Sequence, residues 1–301
     1  MPTLAIVNPV AGNGRSQRIW ERLRARVEAV QAWRCVSTER AGHARELAHQ
    51  AASAGYERVV AVGGDGTVNE VANGLAGTRT ALAIIPTGSG NDSVRNLAIP
   101  SHPAEAAMLA AHGDAREVDL GTIRLAGTAT YFLNVAGFGF DADVAYRVNR
   151  PPWMWLKVLG STAPYVATVL YTLCAYRSAR MRLDLDGQVD EQPVFLVAVA
   201  NGPCYGGGMR IAPPASPDDG LLDVCVVREV SRIEVLKLVP RMYSGGHAGH
   251  PAVKLARCRE LSVDADRRVR CHADGEIVGE LPAQFGIVPG ALRCVLGQAA
   301  H

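Results

Sequence analysis

Three stretches of this chain place carboxylates among glycines in a way that suits phosphate chemistry. The first is Val59-Val60-Ala61-Val62-Gly63-Gly64-Asp65-Gly66-Thr67-Val68-Asn69-Glu70. Its four leading apolar residues, mostly β-branched, read as a buried parallel strand. Thr67 is then expected to cap a helix running from Val68 to Leu75. A strand, a tight glycine turn and a helix N-terminus together make a phosphate cradle: glycines let the backbone approach closely, and the first helical amides carry positive dipole. Asp65 repels phosphate unless a cation or its water shell lies between, so it reads as an organiser of Mg²⁺. A plain strand-to-helix turn with a capping aspartate is the alternative. The second stretch, Thr87-Gly88-Ser89-Gly90-Asn91-Asp92, follows another apolar strand, Ala81 to Pro86. Ser89 can donate to a phosphate, while Asn91 and Asp92 can cap the next helix or hold the site together. In the third, Asp274-Gly275-Glu276, two acids bracket a bend. An acid placed there can accept the proton of an attacking hydroxyl; an ordinary β-turn with exposed acids is the other reading. No G-x-x-x-x-G-K-[ST] run occurs, which excludes the P-loop solution.

Taken together, these stretches carry a family resemblance. Gly63-Gly64-Asp65-Gly66-Thr67-Val68-Asn69-Glu70 resembles the nucleotide loop of the diacylglycerol kinase catalytic domain, in a superfamily with sphingosine, ceramide and bacterial lipid kinases. NAD kinases and phosphofructokinases share only its Gly-Gly-Asp-Gly core. Asn8-Pro9-Val10-Ala11-Gly12, Pro86 to Asp92, Asp119-Leu120-Gly121, Gly137 to Ala142, Ile211 to Val224 and Asp274-Gly275-Glu276 resemble further motifs of that family, in order. The resemblance implies an ATP-dependent lipid kinase that phosphorylates the primary hydroxyl of diacylglycerol or a related lipid, with ATP and Mg²⁺ as its cofactors. It implies nucleotide contacts from Asn8, Thr38, Gly63, Gly64, Asp65, Gly66, Thr67, Asn69, Glu70, Ser89, Asn91 and Asp92. It makes Glu276 the base, with Asp274 beside it and Asp65 across the cleft. Ser216, Asp219 and the backbone of Leu221 would hold a structural Mg²⁺, hard oxygens for a hard cation. Asp119 is either a turn residue or a support for the metal-water network. Two rivals stand beside this reading: a kinase of the same framework acting on a sphingoid base, another acylglycerol or NAD, and a non-catalytic lipid- or nucleotide-binding protein.

These residues need a scaffold, and the hydrophobic pattern supplies one. Leu4 to Val7, Trp33 to Thr38, Val59 to Val62 and Ala81 to Pro86 read as strands. Helices are expected from Ser16, as cap, to about Val30, from His43 to Ala54 and from Pro103 to His112. Beyond Gly121 the alternation gives way to strands separated by turns: Ala129 to Val135, Met181 to Leu185, Val194 to Ala200, Leu221 to Val227, Glu260 to Val263 and Val269 to His272. The expected fold class is α/β: a Rossmann-like, three-layer nucleotide domain (1–124) followed by a mostly antiparallel β-sandwich domain (125–284). Two short strands, Phe285 to Val288 and Leu292 to Leu296, would return to the first domain, completing it with 285–301. Nucleotide loops at strand C-termini fit the rule for ligand sites on open α/β sheets.

The segment from Pro151 to Tyr176 is the most apolar, and Val158 to Tyr176 carries no charge. Gly160, Ser161, Thr162 and Pro164 dilute it, so it reads as packing on the second domain with an aromatic edge toward a bilayer. Trp153, Trp155, Tyr165 and Tyr171 suit a membrane interface, and Arg147, Arg150, Lys157, Arg177, Arg180 and Arg182 flank them. A core helix with basic ends is the alternative. A net charge of +2 leaves no nucleic-acid footprint. Seven cysteines, an odd number without a C-x-x-C pair, argue against a disulfide framework or zinc ribbon. The N-terminus shows no basic leader with a long apolar core. A cytoplasmic protein, peripheral at the inner face of the membrane, is therefore expected. Its expected partners are the lipid and, as a homodimer, a second copy.

Overall fold

The computed structural model describes residues 1–28, 33–148 and 163–297. Its first half alternates β1 (Thr3–Val7), α1 (Ala11–Glu28), β2 (Trp33–Ser37), α2 (His43–Ser53), β3 (Arg58–Gly63), α3 (Asp65–Leu75), β4 (Ala81–Pro86), α4 (Asp92–Asn96) and α5 (Pro103–His112). Strands β2, β1, β3 and β4 lie side by side in parallel. Alternation sorts their side chains onto two covered faces. Ile6, Ala61 and Ile84 pack with Ala48, Val68 and Val71 of α2 and α3. Val7, Val62 and Ile85 pack with Trp20, Leu23 and Ala107 of α1 and α5. The result is the expected α/β/α three-layer domain.

Helices α2 and α3 meet at a glycine. A Cβ on Gly74 would come within 2.8 Å of the Ala48 Cβ and overlap the Arg45 carbonyl oxygen. On an open helix Gly→Ala gains up to about 1 kcal/mol. Here Gly74→Ala is expected to cost about 1–3 kcal/mol net through overpacking, read as a lower urea midpoint at unchanged slope.

The second half comprises β5 (Ala115–Leu125), β6 (Thr128–Phe132), β7 (Val135–Gly139), α6 (Phe140–Val148), α7 (Ala163–Ala175), β8 (Ala179–Leu185), β9 (Gln188–Ala200), β10 (Leu222–Arg228), α8 (Arg232–Ser244), β11 (Val253–Cys258), β12 (Glu260–Ala265), β13 (Arg270–Ala273), β14 (Glu276–Glu280) and β15 (Ala283–Val295). Its ladders are antiparallel, running β14-β13-β7-β9-β8-β12-β15, with β10 and β11 added on β9. Phe138, Met181, Val197, Val224, Leu261 and Phe285 fill the sandwich interior. The other face of β7, β9 and β10 is covered by α6, α7 and α8 through Phe140, Leu173 and Val235. Strand β15 joins the halves: it pairs antiparallel with β12 and β5, then lies parallel to β4 where Cys294 faces Leu82.

Several boundaries differ from the sequence expectation. The two short C-terminal strands are one strand, whose register with β5 shifts between Val288 and Leu292. The expected strand from Ala129 to Val135 is two, β6 and β7, separated by residues 133–134. Thr67 does not cap its helix: α3 begins at Asp65 after Gly64, and Thr67 is buried in its first turn. Ser16 is no cap either; its hydroxyl donates to the Val62 carbonyl, and the regular part of α1 begins after Gly12, Asn13 and Gly14, all at positive φ. The expected helix end near Val30 lies outside the described residues, as do Arg150, Trp153, Trp155 and Lys157. Among the described residues no helix is long and apolar enough to cross a membrane.

Candidate active site

Three loops converge at the C-terminal ends of β1, β3 and β4. The Thr87 amide donates to the Gly63 carbonyl at 2.9 Å, and the Thr87 hydroxyl to Ser16. The glycines touch directly: a Cβ on Gly88 would stand 2.7 Å from the Gly64 Cα. Only glycine permits this approach at position 88, while a Cβ on Gly64 would stand 3.3 Å from the Gly88 Cα, a tighter fit than usual. Asn8, at the end of β1, donates through Nδ2 to the Thr67 hydroxyl at 2.9 Å. Thr38 stands at the end of the neighbouring β2, its amide bonded to Val7. Gly66 and Ser89 are exposed at the rim. The first amides of α3 are left without partners by the helix itself.

Asp65 is fixed in place. One carboxylate oxygen accepts from both the amide and the hydroxyl of Ser93, each at 3.1 Å. The other, Oδ2, lies 2.8 Å from where a Cβ on Gly90 would sit, and Asp92 Oδ2 lies 4.0 Å from the same point. Two carboxylates therefore flank a space that a side chain at position 90 would fill. Asp92 is buried, held by Arg95 at 3.0 Å and the Gly207 amide at 2.8 Å. Burial pushes its carboxyl up against the pull of the Gly207 amide, and the charge of Asp65 adds to the rise. Asn91 precedes Asp92 in the left-handed conformation and makes no side-chain cap.

The Asp274-Gly275-Glu276 bend is docked on α3. Asp274, at φ 48°, accepts four hydrogen bonds: from Asn69 Nδ2 at 2.7 Å and the amides of Leu133, Asn134 and Val135 at 2.8, 2.9 and 3.0 Å. Burial pushes its carboxyl up, and all four donors work against that rise. Every acceptor direction of the carboxylate is taken, so Asp274 positions the bend, a correction to its expected part in proton transfer. Asn69 lies four residues after Asp65 on the same helix face, about 6 Å along the axis. The bend carrying Glu276 is thus held one helical turn from Asp65. Glu276 opens β14 with its side chain exposed, next to Gly275, which lines a cavity.

That cavity encloses about 430 Å³ beneath α6, α7 and α8. Asp65, Asp92, Asn134 and Asp141 line it together with Phe140, Val169, Phe195, Val235, Leu238 and Met242. Carboxylates and hydrocarbon thus share one half-open space, of the size of a small-molecule site. Buried His272 and half-buried Asp141 meet in its wall at 3.2 Å, and the Gly275 amide reaches the other ring nitrogen.

Other expected site residues are used elsewhere. Glu70 accepts from the amides of Gly42 and Ala44, at 2.9 and 3.0 Å, and so holds the N-terminus of α2. Asn69 turns its amide to Asp274. Neither side chain faces the phosphate cradle, which corrects both expectations. Asp119 accepts from the amides of Gly220 and Gly290, which makes it a turn clamp. On that turn the Ser216 hydroxyl donates to Asp218, Asp219 accepts from the Leu221 amide, and Arg257 approaches Asp219 at 4.0 Å and Asp223 at 3.1 Å. A guanidinium supplies the positive charge there. Among the described residues no group of three or more His, Cys, Asp or Glu gathers. Ser216, Asp219 and Leu221, expected to hold a structural Mg²⁺, thus lie together on one turn.

Ser93 and Asn96 carry no motif signal in the sequence, and Asn134, Asp141 and His272 lie in or beside the motifs without a site role of their own. Asn134 donates to Ser93 and accepts from Asn96, which is also bonded to Cys204, so one chain of amides ties Asp65 to the second domain. Asn96 and Asn134 are 38 residues apart, and no local pattern pairs them.

Comparison with known proteins follows the same division of the chain. The profile of the diacylglycerol kinase catalytic domain matches residues 2–123, and that of the YegS C-terminal NAD kinase beta sandwich-like domain matches residues 134–296. The chain is 34% identical to a diacylglycerol kinase of Mycobacterium tuberculosis, over 96% of this chain and 93% of that one. It is 30% identical to a diacylglycerol kinase of Bacillus subtilis, over 83% and 80%. A crystal structure of a diacylglycerol kinase from Bacillus anthracis superposes with a TM-score of 0.76 at 25% identity, covering 100% of this chain and 98% of that one.

Proposed function

The chain belongs to the diacylglycerol kinase family and is a kinase; on that premise we propose that it transfers the terminal phosphoryl group of ATP to the primary hydroxyl of diacylglycerol or a closely related lipid. The observation that carries the lipid half of this proposal is the cavity. Asp65, Asp92 and Asp141 line it within a wall that is otherwise mainly hydrocarbon, a mixture that suits a molecule with one reactive hydroxyl on an apolar body. A soluble dinucleotide has no use for such a wall.

Phosphoryl transfer is chiefly positioning and charge neutralisation. The α3 amides, with Gly64 and Gly66, would hold the phosphate chain, and Ser89 would donate to it from the facing loop. Asn8 and Thr38 flank the same rim. Asp65 and Asp92 offer hard oxygens on either side of the Gly90 space and would hold Mg²⁺. That ion, when bound, neutralises charge on the transferred phosphoryl group. Ser93 fixes the direction of Asp65. Asp274 and Asn69 fix the bend, and Glu276 takes the proton of the lipid hydroxyl as it attacks. Walls of Phe140, Phe195 and Leu238 keep water from the reacting oxygen.

The lipid must leave a membrane to enter, and the helices covering the cavity offer a landing face. Val166, Leu170 and Tyr171 of α7 and Ile233 and Leu236 of α8 are exposed. Arg232 of α8 bonds the Cys174 carbonyl of α7, and Arg147, Lys237 and Arg241 lie nearby in the chain. Apolar side chains beside cations suit an anionic bilayer. Leu170→Asp with Leu236→Asp is expected to reduce co-sedimentation with phosphatidylglycerol vesicles at least fivefold while sparing turnover in detergent micelles. Unchanged sedimentation would remove this face from the account.

The function itself is tested by a thin-layer assay with radiolabelled ATP against diacylglycerol, a monoacylglycerol, a sphingoid base, ceramide and NAD. Label is expected in phosphatidate. Label in NAD alone, or ATP binding without any labelled lipid, would reject the proposal.

A further inference from the structure

One side chain in the cavity wall has a hydrogen to give and no acceptor in the protein. Among the described residues lining the cavity, the side chains that can donate are Asn134, Tyr165, Tyr205, Tyr243, His247 and His272. Asn134 is bonded to Ser93, His247 to the Ile211 carbonyl and His272 to Asp141. Tyr165 and Tyr243 are exposed on α7 and α8. Tyr205 remains. It opens a hairpin, 205–209, in which its backbone bonds Met209 in both directions at 3.0 and 2.9 Å. The hairpin turns through Gly206, Gly207 and Gly208, all at positive φ, and the Gly207 amide donates to Asp92. The ring is thereby anchored in the wall that carries the carboxylates. Its hydroxyl has no partner among the described residues, yet it is not one of the unpartnered polar atoms sealed from solvent, as Tyr176 Oη and His247 Nδ1 are. The oxygen therefore keeps accessible surface, and the residue is half-buried. Burial nevertheless pushes the phenol's pKa well above its ordinary value, and the charge of Asp141 adds to the rise. An oxygen set deep in the protein and still accessible opens into a cavity, and Tyr205 lines this one. There the phenol stays protonated and is a donor.

We propose that Tyr205 is a specificity-determining residue whose hydroxyl donates a hydrogen bond to an acyl ester carbonyl of the lipid in the cavity. The inference rests on the reading of the cavity as the lipid site. In a diacylglycerol the hydroxyl that reacts belongs between Asp65 and Glu276, and the chains offer nothing polar. The ester carbonyls are left, and they only accept. One ester sits on the carbon next to the one that bears the hydroxyl. It enters the cavity with the reacting group, beside the wall that holds Asp92 and Tyr205. A dialkyl ether of the same shape keeps the hydroxyl and both chains but lacks the carbonyls, and leaves the phenol without its acceptor.

The test compares dioctanoylglycerol with the matching dioctyl ether, each presented in detergent micelles to wild type, Tyr205→Phe and Tyr243→Phe. Two readouts are taken: kcat and KM for phosphoryl transfer, and affinity from displacement of a fluorescent acyl probe. Wild type should favour the diester about tenfold, a gap of the size expected for one unmatched buried donor. The gap should lie in KM, because the carbonyl is held alike before and during transfer. Tyr205→Phe removes an oxygen that has no partner in the protein, and should bring the ratio of diester to diether within about twofold of one. Tyr243→Phe should keep the wild-type ratio. A wild-type ratio near one would overturn the inference, as would a ratio that survives in Tyr205→Phe. Equal losses on both lipids in Tyr205→Phe, the mark of a merely structural role, would overturn it too. Should Tyr205→Phe fail to fold, the infrared carbonyl stretch of an isotope-labelled diester bound to wild type decides. It should lie below its value in dry hydrocarbon, and an unshifted stretch would count against the bond. The two proposals fail separately: preferential binding of the diester without phosphorylation removes the kinase proposal and supports the role of Tyr205, whereas phosphorylation of both lipids alike does the reverse.

Discussion

Glu276→Gln is expected to lower kcat about 10²- to 10⁴-fold, the range for loss of a general base, while KM for ATP changes little. The side chain is exposed at the start of β14, so its amide fits without repacking, and stability should stay within about 0.5 kcal/mol of wild type. Glutamine keeps size and polarity and removes only the ability to take a proton. The bend that presents it is held from below by Asp274 and from the side by the Gly275 amide on His272. Neither contact involves the Glu276 side chain. Steady-state kinetics with unfolding curves read both halves of the prediction. A kcat within threefold of wild type would move the base elsewhere, and Asp65 would be the next candidate.

Asp274→Asn should act in the opposite manner, on the fold first. Asparagine tolerates the left-handed conformation at this position as well as aspartate does, so backbone strain drops out of the comparison. What changes is the acceptor set. Four N–H donors converge on the carboxylate, and an amide can accept from one side only, its NH₂ facing donors on the other. Hydrogen bonds to a charged group contribute about 1.5–3 kcal/mol each and unmatched buried donors cost about 1–3. A net loss of about 3–5 kcal/mol is expected, or a fall in melting temperature on the order of 10 °C. Activity should fall with it, because Asn69 of α3 and the amides before β7 lose their common anchor. A melting temperature within 2 °C of wild type would show that the bend is held by other contacts.

The strand-turn-helix units were legible because their signals are local. Val59 to Val62 followed by Gly63-Gly64 announces a strand and its turn, and Ala81 to Pro86 does the same for the second loop. Roles within those units were less legible. Membership of the same run as Asp65 puts Glu70 and Asn69 at the nucleotide. Helix geometry assigns them otherwise. Starting the helix at Asp65 puts Asn69 on the face of Asp65, under the bend, and turns Glu70 well over 100° away, toward α2. A helix starting at Val68, three residues late, hides that phase. The Ser231-x-x-Glu234 signature of α8 was present and went unused, although the structure forms both halves of its capping box. The cavity has no local signal. Its wall comes from α6, α7, α8, β9 and β10, brought together only when the sandwich covers its outer face.

The most direct test is a structure of the protein bound to a non-hydrolysable ATP analogue and a short-chain diacylglycerol. The γ-phosphate should lie against the Gly64 and Gly88 loops, the lipid hydroxyl between Asp65 and Glu276, and the acyl chains among Phe140, Phe195 and Leu238. Acyl chains bound outside that cavity, with Glu276 turned from the nucleotide in every copy, would contradict the account.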